Sequence, residues 1–183
     1  MMSAPGLVWD ACALLNLAAT RRASDILAVF GCPSHVVRQV REGEILYLRP
    51  LPEEDLQGSL VSVDLASLFS AGALLEVELT AAEQATFVAF AAEMDDGEAH
   101  SAAVAAHRGW WLVTDDRVSL RVARGHTTPI HTITTPDWVK WWAEAASIEE
   151  AMVAETLRRI QVCANYIPRR VHPLKAWWDA RLP

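Results

Sequence analysis

Asp10 stands directly after the short apolar run LVW, and acidic residues recur in similar settings far along the chain. Asp95, Asp96 and Glu98 lie in DDGEA, and Asp115 and Asp116 follow the apolar run WWLV in TDDR. If the apolar runs are neighbouring parallel strands, their carboxyl ends lie side by side at one edge of a sheet, and that edge collects the carboxylates. Two such charges about 4 Å apart repel by roughly 4 kcal/mol at an effective dielectric of 20, so a packed group of them calls for a cation. Hard divalent ions such as Mg²⁺ or Mn²⁺ take oxygen ligands and keep several waters; they need a few carboxylates rather than a closed histidine or cysteine cage. Such an ion lowers the pKa of its bound water and stabilises charge on phosphate oxygens, which is hydrolytic chemistry.

Each acid also has a structural reading. Asp95 or Asp96 before an alanine-rich helix is where an N-cap belongs, and Glu98 in the first turn favours the helix dipole. Asp115 and Asp116 sit where they would cap DRVSLRVARG, and Asp10 where it would cap ACALLNLAAT. Asp10 is the hardest to explain by capping alone, because a carboxylate beside an apolar strand risks an unpaired buried charge.

The elements that must position these residues follow from pattern. LVW then ACALLNLAAT reads as strand then helix. A second helix is expected over SDILAVF, with Ser24 as N-cap and Gly31 as stop, and a third over HVVRQVREG, opened by Pro33 and Ser34. ILYL and LLEVEL read as strands, separated by PLPEEDLQG and the small helix-like LASLFSAG. TAAEQATFVAFAAEM is helical, with Thr80 and Glu83 forming a capping box. DDGEAHSAAVAAHRG is a further helix closed by Gly109. WWLVT is a strand, DDRVSLRVARG a helix and PIHTIT a short strand. That alternation predicts βαβ units on a parallel sheet. Beyond Pro136 the chain is helical over DWVKWWAEAAS and IEEAMVAETLRRIQVCANY; the tail IPRRVHPLKAWWDARLP has no assignable shape. No internal repeat is visible.

The segments VWDACALLNL, DDGEAHSAAVAAHRG, WWLVTDDRVSLRVA and PIHTITT, in that order, resemble the PIN-domain ribonucleases, a family that includes many VapC-type toxins of bacterial toxin–antitoxin pairs. The resemblance covers the first helix and roughly the third quarter of the chain. It implies an α/β, PIN-like three-layer fold with a central, mostly parallel sheet flanked by helices. Here that would be residues 1–135 with an insertion at about 44–79, followed by a helical C-terminal extension over 136–183 packed on the same domain. It also implies a metal-dependent endoribonuclease using Mg²⁺ or Mn²⁺. Carried over by position, Asp10, Glu98 and Asp116 are the catalytic acids and metal ligands, with Asp115 and Asp96 as further ligands. Asn16, Gln39 and Thr114 are supporting polar residues, and Arg117 and Arg121 contact the RNA backbone. One position departs from the pattern. The family has a glutamate in the third helix, in a context like VVREV, and this chain has Gln39, a neutral amide that binds a divalent cation more weakly and cannot act as a base. Glu42, Glu44, Asp95 or Asp96 are the acids placed to restore the charge; Glu42 lies three residues on, close to the same helical face.

Composition bounds the alternatives. With 183 residues and 52% apolar content, the chain can bury a real core as one domain. It has no run of about 18 apolar residues and no basic region leading an apolar block, so neither a membrane span nor a secretory signal is expected and the cytoplasm is the expected location. Cys12, Cys32 and Cys163 are too few and too scattered for a disulfide framework or a zinc site. A net charge of −7 argues against a protein that coats nucleic acid non-specifically. Arg117, Arg121 and Arg124 still form a local patch at helical spacing, and the excess acid is expected mainly in solvated stretches such as PLPEEDLQG. His100 and His107 read as surface or satisfied positions, and the paired tryptophans as core or interface anchors. The expected partners are RNA, an antitoxin-like protein and a second copy of the chain in a homodimer, with no membrane. Two competing readings are a catalytically impaired PIN-like module that binds RNA or protein, and a scaffold whose tryptophan-rich C-terminal region docks a partner.

Overall fold

The computed structural model describes residues 4–43, 47–55, 57 and 59–182. Its centre is a five-stranded sheet made of β1 (Leu7–Trp9), β2 (Ser34–Val37), β5 (Leu75–Val77), β6 (Trp111–Val113) and β7 (Thr132–Ile133). The spatial order is β5-β2-β1-β6-β7, and every neighbouring pair is parallel. Leu7, Val8 and Trp9 are entirely buried, as a central strand covered on both faces requires. Trp9 pairs in register with Val36 on one side and Val113 on the other. The strand order therefore reverses direction at β1, and the crevice beyond its carboxyl end is where an open α/β sheet places ligands.

Two groups of helices flank the sheet. On one side α1 (Ala11–Ala19) packs on α9 (Glu150–Cys163), and α2 (Ala23–Val29) on α8 (Thr135–Ala145), which also meets α9. The other group centres on α6 (Asp96–Arg108), which touches α3 (Arg38–Gly43), α5 (Ala81–Phe90), α7 (Arg117–Gly125) and strands β1, β2 and β6. The small residues of α6 explain that centrality: Ala99, Ala102, Ala103 and Ala105 are all buried and let its axis approach the strands closely. Trp9, Trp138, Trp142 and Trp178 are fully buried, and the Trp9 and Trp138 rings lie 6.0 Å apart, so these tryptophans anchor the core as expected. No helix among the described residues is long and apolar enough to cross a membrane.

Local signals account for most boundaries. Thr80 and Glu83 make the expected capping box at α5, and Glu83 is held in turn by Arg108 of α6 at 2.6 and 3.0 Å. Gly31 ends α2 with φ +67°, and Gly109 ends α6 with φ +63°. A Cβ at residue 109 finds open space, so the cost of Gly109→Ala is conformational only. That substitution is expected to destabilise by about 1 kcal/mol, read as a lower urea midpoint at unchanged slope.

Three expectations are corrected. The helix expected over residues 35–43 is half strand: Ser34–Val37 form β2, buried between β1 and β5, and α3 begins only at Arg38. His-Val-Val carries two β-branched residues that pack on a pleated surface, and burial on both faces overrides the helical pattern. Ser24 does not cap α2, which starts at Ala23 after Arg22 with no side-chain cap. Of ILYL, Tyr47–Leu48 form β3, paired antiparallel with β4 (Val61–Ser62) outside the central sheet; Ile45 and Leu46 lie outside the described residues, as does Glu44. PLPEEDLQG is exposed over residues 52–54, as expected, and its acids are also paired. Glu53 bonds Arg158, and Glu54 bonds Arg159 and Arg21, which clip this stretch to α9 and the end of α1. The stretch 44–79 also supplies β5, the edge strand beside β2, and the short helix α4 (Ala66–Ser70). In the tail, α10 (Lys175–Asp179) buries Trp178 against Tyr166, ring centroids 5.8 Å apart.

Candidate active site

Asp10 leaves β1 at the carboxyl edge of the sheet and caps α1, its Oδ1 accepting the Ala13 amide at 2.8 Å. The cap does not exhaust it. The Cys12 thiol donates to the same carboxylate at 3.2 Å, and the Thr114 hydroxyl binds it as well. Asp10 is only 1% exposed, and burial raises its pKa to about 7, against the lowering effect of these hydrogen bonds. A carboxyl so poised is protonated or ionised according to what sits beside it.

Glu98 occupies the first turn of α6, half-buried. Its pKa is also raised to about 7, by burial first and then by the neighbouring Asp116 and Asp95 charges, while the Ser119 hydroxyl donates to Oε2 at 3.2 Å. Asp10 and Glu98 line one cavity of about 760 Å³, together with Gln39, Glu42, Asp95 and Asp96. Five acidic residues and one glutamine thus line a common space, which His100 also borders. His100 stacks on Phe87 and bonds the Asp96 carbonyl through Nδ1 at 2.6 Å.

Asp115 and Asp116 play different parts. Asp116 caps α7, its Oδ1 accepting from the Val118 and Ser119 amides at 2.6 and 2.8 Å, and its charge reaches the cavity through Glu98. Asp115 is saturated. Its Oδ1 accepts the Thr135 amide at 2.9 Å and the Tyr166 hydroxyl at 2.7 Å, and its Oδ2 accepts Asn16 Nδ2 at 3.1 Å and the Thr135 hydroxyl. Burial raises its pKa, and those same donors oppose the rise. Burial and the Asp115 charge push the Tyr166 phenol above its ordinary range, so it stays a donor. Asp115 therefore ties α1, α8 and the segment after α9 together behind Asp10. Asn16 serves it, bonding both Asp115 and Thr135. Thr114 links the two acids more directly: its hydroxyl meets Asp10 and accepts the Asp116 amide at 3.1 Å.

The sequence-derived acids therefore divide. Asp10, Glu98 and Asp96 face the cavity, Asp116 borders Glu98, and Asp115 supports from behind. Gln39 lies on the cavity wall in the first turn of α3, and Glu42 joins it there three residues later. Arg117 and Arg121 are exposed on α7, away from the cavity lining, with Arg121 3.9 Å from Glu93. Sequence reasoning missed Tyr166, Thr135 and Ser119, which carry no local signature because their partners lie 51, 20 and 21 residues away.

All the cavity donors are oxygens apart from the Gln39 amide nitrogen, the Cys12 sulfur and the His100 ring. That chemistry fits a hard divalent cation held through one or two carboxylates and completed by water. It does not make a closed cage: no group of three or more His, Cys, Asp or Glu side chains among the described residues is gathered tightly enough to hold a metal. Comparison with protein-family models, with curated proteins and with solved structures finds no match to this chain.

Proposed function

We propose that this protein is a PIN-type endoribonuclease that hydrolyses RNA phosphodiester bonds with Mg²⁺ or Mn²⁺. The observation that carries the reading is the pair Asp10 and Glu98. Asp10 directly follows the switch-point strand β1 and Glu98 lies in the first turn of α6; they share one cavity, and both have pKa values raised to about 7. Two carboxyls raised chiefly by burial and lining one cleft are costly to a fold and mark a place where charge is handled. Asp10 and Glu98 would hold the cation, with Asp96 and Glu42 at the rim. When bound, the cation offsets phosphate charge and acidifies an attacking water. The protein's own part is to fix the two carboxylates: the Ala13 amide and Thr114 orient Asp10, and Ser119 orients Glu98. The acidic cavity repels RNA until a cation is present, which makes turnover strictly metal-dependent.

The same resemblance supports a toxin restrained by an antitoxin-like protein, acting in the cytoplasm. A second reading, a catalytically impaired PIN-like module binding RNA or protein, is favoured by one observation: Gln39 holds a place on the cavity wall where the family has a glutamate.

The test is cleavage of structured and single-stranded RNAs by the purified chain with Mn²⁺, beside the Glu98→Gln variant. Carboxylates must lose their protons before they coordinate, so at limiting Mn²⁺ cleavage rises between pH 6 and pH 8. Glu98→Gln is expected to lower the rate by about 10- to 100-fold at pH 8. Intact RNA with wild type at every pH, with no heat of Mn²⁺ binding by calorimetry, moves the protein to the second reading.

A further inference from the structure

Helix α7 carries Arg117, Arg121 and Arg124 at i, i+4 and i+7, all exposed. At 1.5 Å rise per residue they form a stripe about 10 Å long on one helical face. The segment after α9 returns to lie against this stripe, and Arg169, Val171 and His172 complete a cleft of about 500 Å³. His172 pins that wall. Its Nδ1 accepts the Leu174 amide at 3.1 Å, which leaves Nε2 as the donor to the Thr134 hydroxyl at 2.9 Å, at the exit of β7.

Four arginines and no acidic residue line this cleft, whereas Arg22 and Arg49, likewise without an ion-pair partner among the described residues, line a cavity that also holds Asp25, Glu54 and Asp64. Arg38, Arg41, Arg108, Arg158 and Arg159 are each matched to a glutamate. Arg117, Arg124 and Arg169 have no acidic partner within ion-pair distance among the described residues, and Arg121 has only the loose contact to Glu93. In a protein of net charge −7, unmatched guanidinium groups collected around one cleft point to an anionic ligand. The stripe also starts where the acid cavity ends, because α7 is capped by Asp116, whose charge acts on Glu98.

We propose that the cleft between α7 and residues 169–173 binds the phosphodiester backbone of single-stranded RNA on its way out of the acid cavity. The choice of RNA rests on the nuclease reading above. Guanidinium forks match phosphate oxygens in pairs, and their spacing along one helix suits a repeating backbone. Val171, 87% exposed, provides an apolar ledge between the cations for a sugar or base. With no tryptophan or tyrosine on its walls, the cleft follows the backbone and is tolerant of sequence. Four of the nine wall residues, Arg169, Val171, His172 and Pro173, come from the chain beyond α9, so that segment takes part in substrate binding.

The experiment is fluorescence anisotropy of a labelled 12-nucleotide oligouridylate with the full chain in EDTA, titrated at several KCl concentrations. Arg124→Glu/Arg169→Glu is expected to weaken binding at least tenfold at 50 mM KCl. It should also flatten the slope of log affinity against log salt by about 1.4, at about 0.7 per phosphate contact on a single strand. The control of equal net charge is Arg22→Glu/Arg49→Glu, whose residues line a different cavity; it should bind within about twofold of wild type. Equal affinities for the two double variants overturn the proposal. So does polyglutamate competing as well as RNA and losing its hold on the same variant, which assigns the cleft to an acidic protein segment. The two readings fail separately. Wild-type cleavage that is unchanged in Arg124→Glu/Arg169→Glu removes the cleft and keeps the nuclease, whereas cleft-dependent binding without any cleavage keeps the cleft and removes the nuclease.

Discussion

Asp10→Asn is expected to raise the melting temperature at pH 8 while removing at least about 99% of RNA cleavage. The two effects share a cause. Asp10 is buried and its pKa is raised from 3.8 to about 7, so the folded state binds a proton over a range in which the unfolded chain has released it. The sign follows from linkage: where the folded state binds more protons, stability falls as pH rises. The fall runs from about pH 4 to about pH 7, and above it the ionised group costs roughly 4 kcal/mol, at 1.36 kcal/mol per unit. Asparagine keeps the acceptor for the Ala13 amide and can place its NH₂ against Thr114, but carries no charge. A gain of about 2 kcal/mol at pH 8, or about 5 °C, is expected in EDTA, with little difference at pH 5. Added Mn²⁺ should stabilise wild type more than the variant. The measurements are thermal unfolding at both pH values and the cleavage assay on the same samples. If Asp10→Asn is less stable than wild type at pH 8, the carboxyl is an ordinary cap; if cleavage survives the substitution, Asp10 has no part in the chemistry.

The other large effect belongs to a residue outside the cavity. Asp115→Ala leaves the Thr135 amide and hydroxyl and the Tyr166 hydroxyl without their acceptor, and the Asn16 amide with Thr135 Oγ1 alone. Each buried donor left unsatisfied costs about 1–3 kcal/mol, partly offset by removing a buried charge, and the expected net loss is about 3 kcal/mol. Asp115→Asn should lose about half as much, because its carbonyl oxygen still accepts from the Thr135 amide and Tyr166. Urea unfolding of both variants reads the difference, with Tyr166→Phe as a partner in a double-mutant cycle. A coupling below about 0.5 kcal/mol between positions 115 and 166 would show that the tail does not brace the site. Cleavage by Asp115→Ala falls only as far as Asp10 loses its place.

Local chemistry made much of this legible. The capping box at Thr80 and Glu83, the glycine stops at residues 31 and 109, and the strand–helix alternation around WWLVTDDR all hold in three dimensions, because they depend on neighbours within a few residues. The parallel sheet follows from the same alternation, and so does the placement of Asp10 and Asp115 just past neighbouring strands. The segment HVV misled for the converse reason. Its helical spacing is real, but the gap between β1 and β5 needs a strand, and burial decides between two locally acceptable conformations.

The acids themselves were visible as residue types at strand ends; their division of labour was not. Asp115 and Asp116 are adjacent in sequence and chemically alike, yet one is saturated by Asn16, Thr135 and Tyr166 while the other caps a helix beside Glu98. Asp116 takes the local amides of Val118 and Ser119, but nothing within a few residues marks Asp115, whose donors arrive from α1, α8 and the tail. The raised pKa values of Asp10 and Glu98 are likewise properties of burial, which exists only once the layers close. Sequence alone determined which side chains are able to handle charge, since that is intrinsic to their chemistry. Tertiary structure decided which of them keep free oxygens toward a shared space, since that depends on the donors that long-range folding brings to each one.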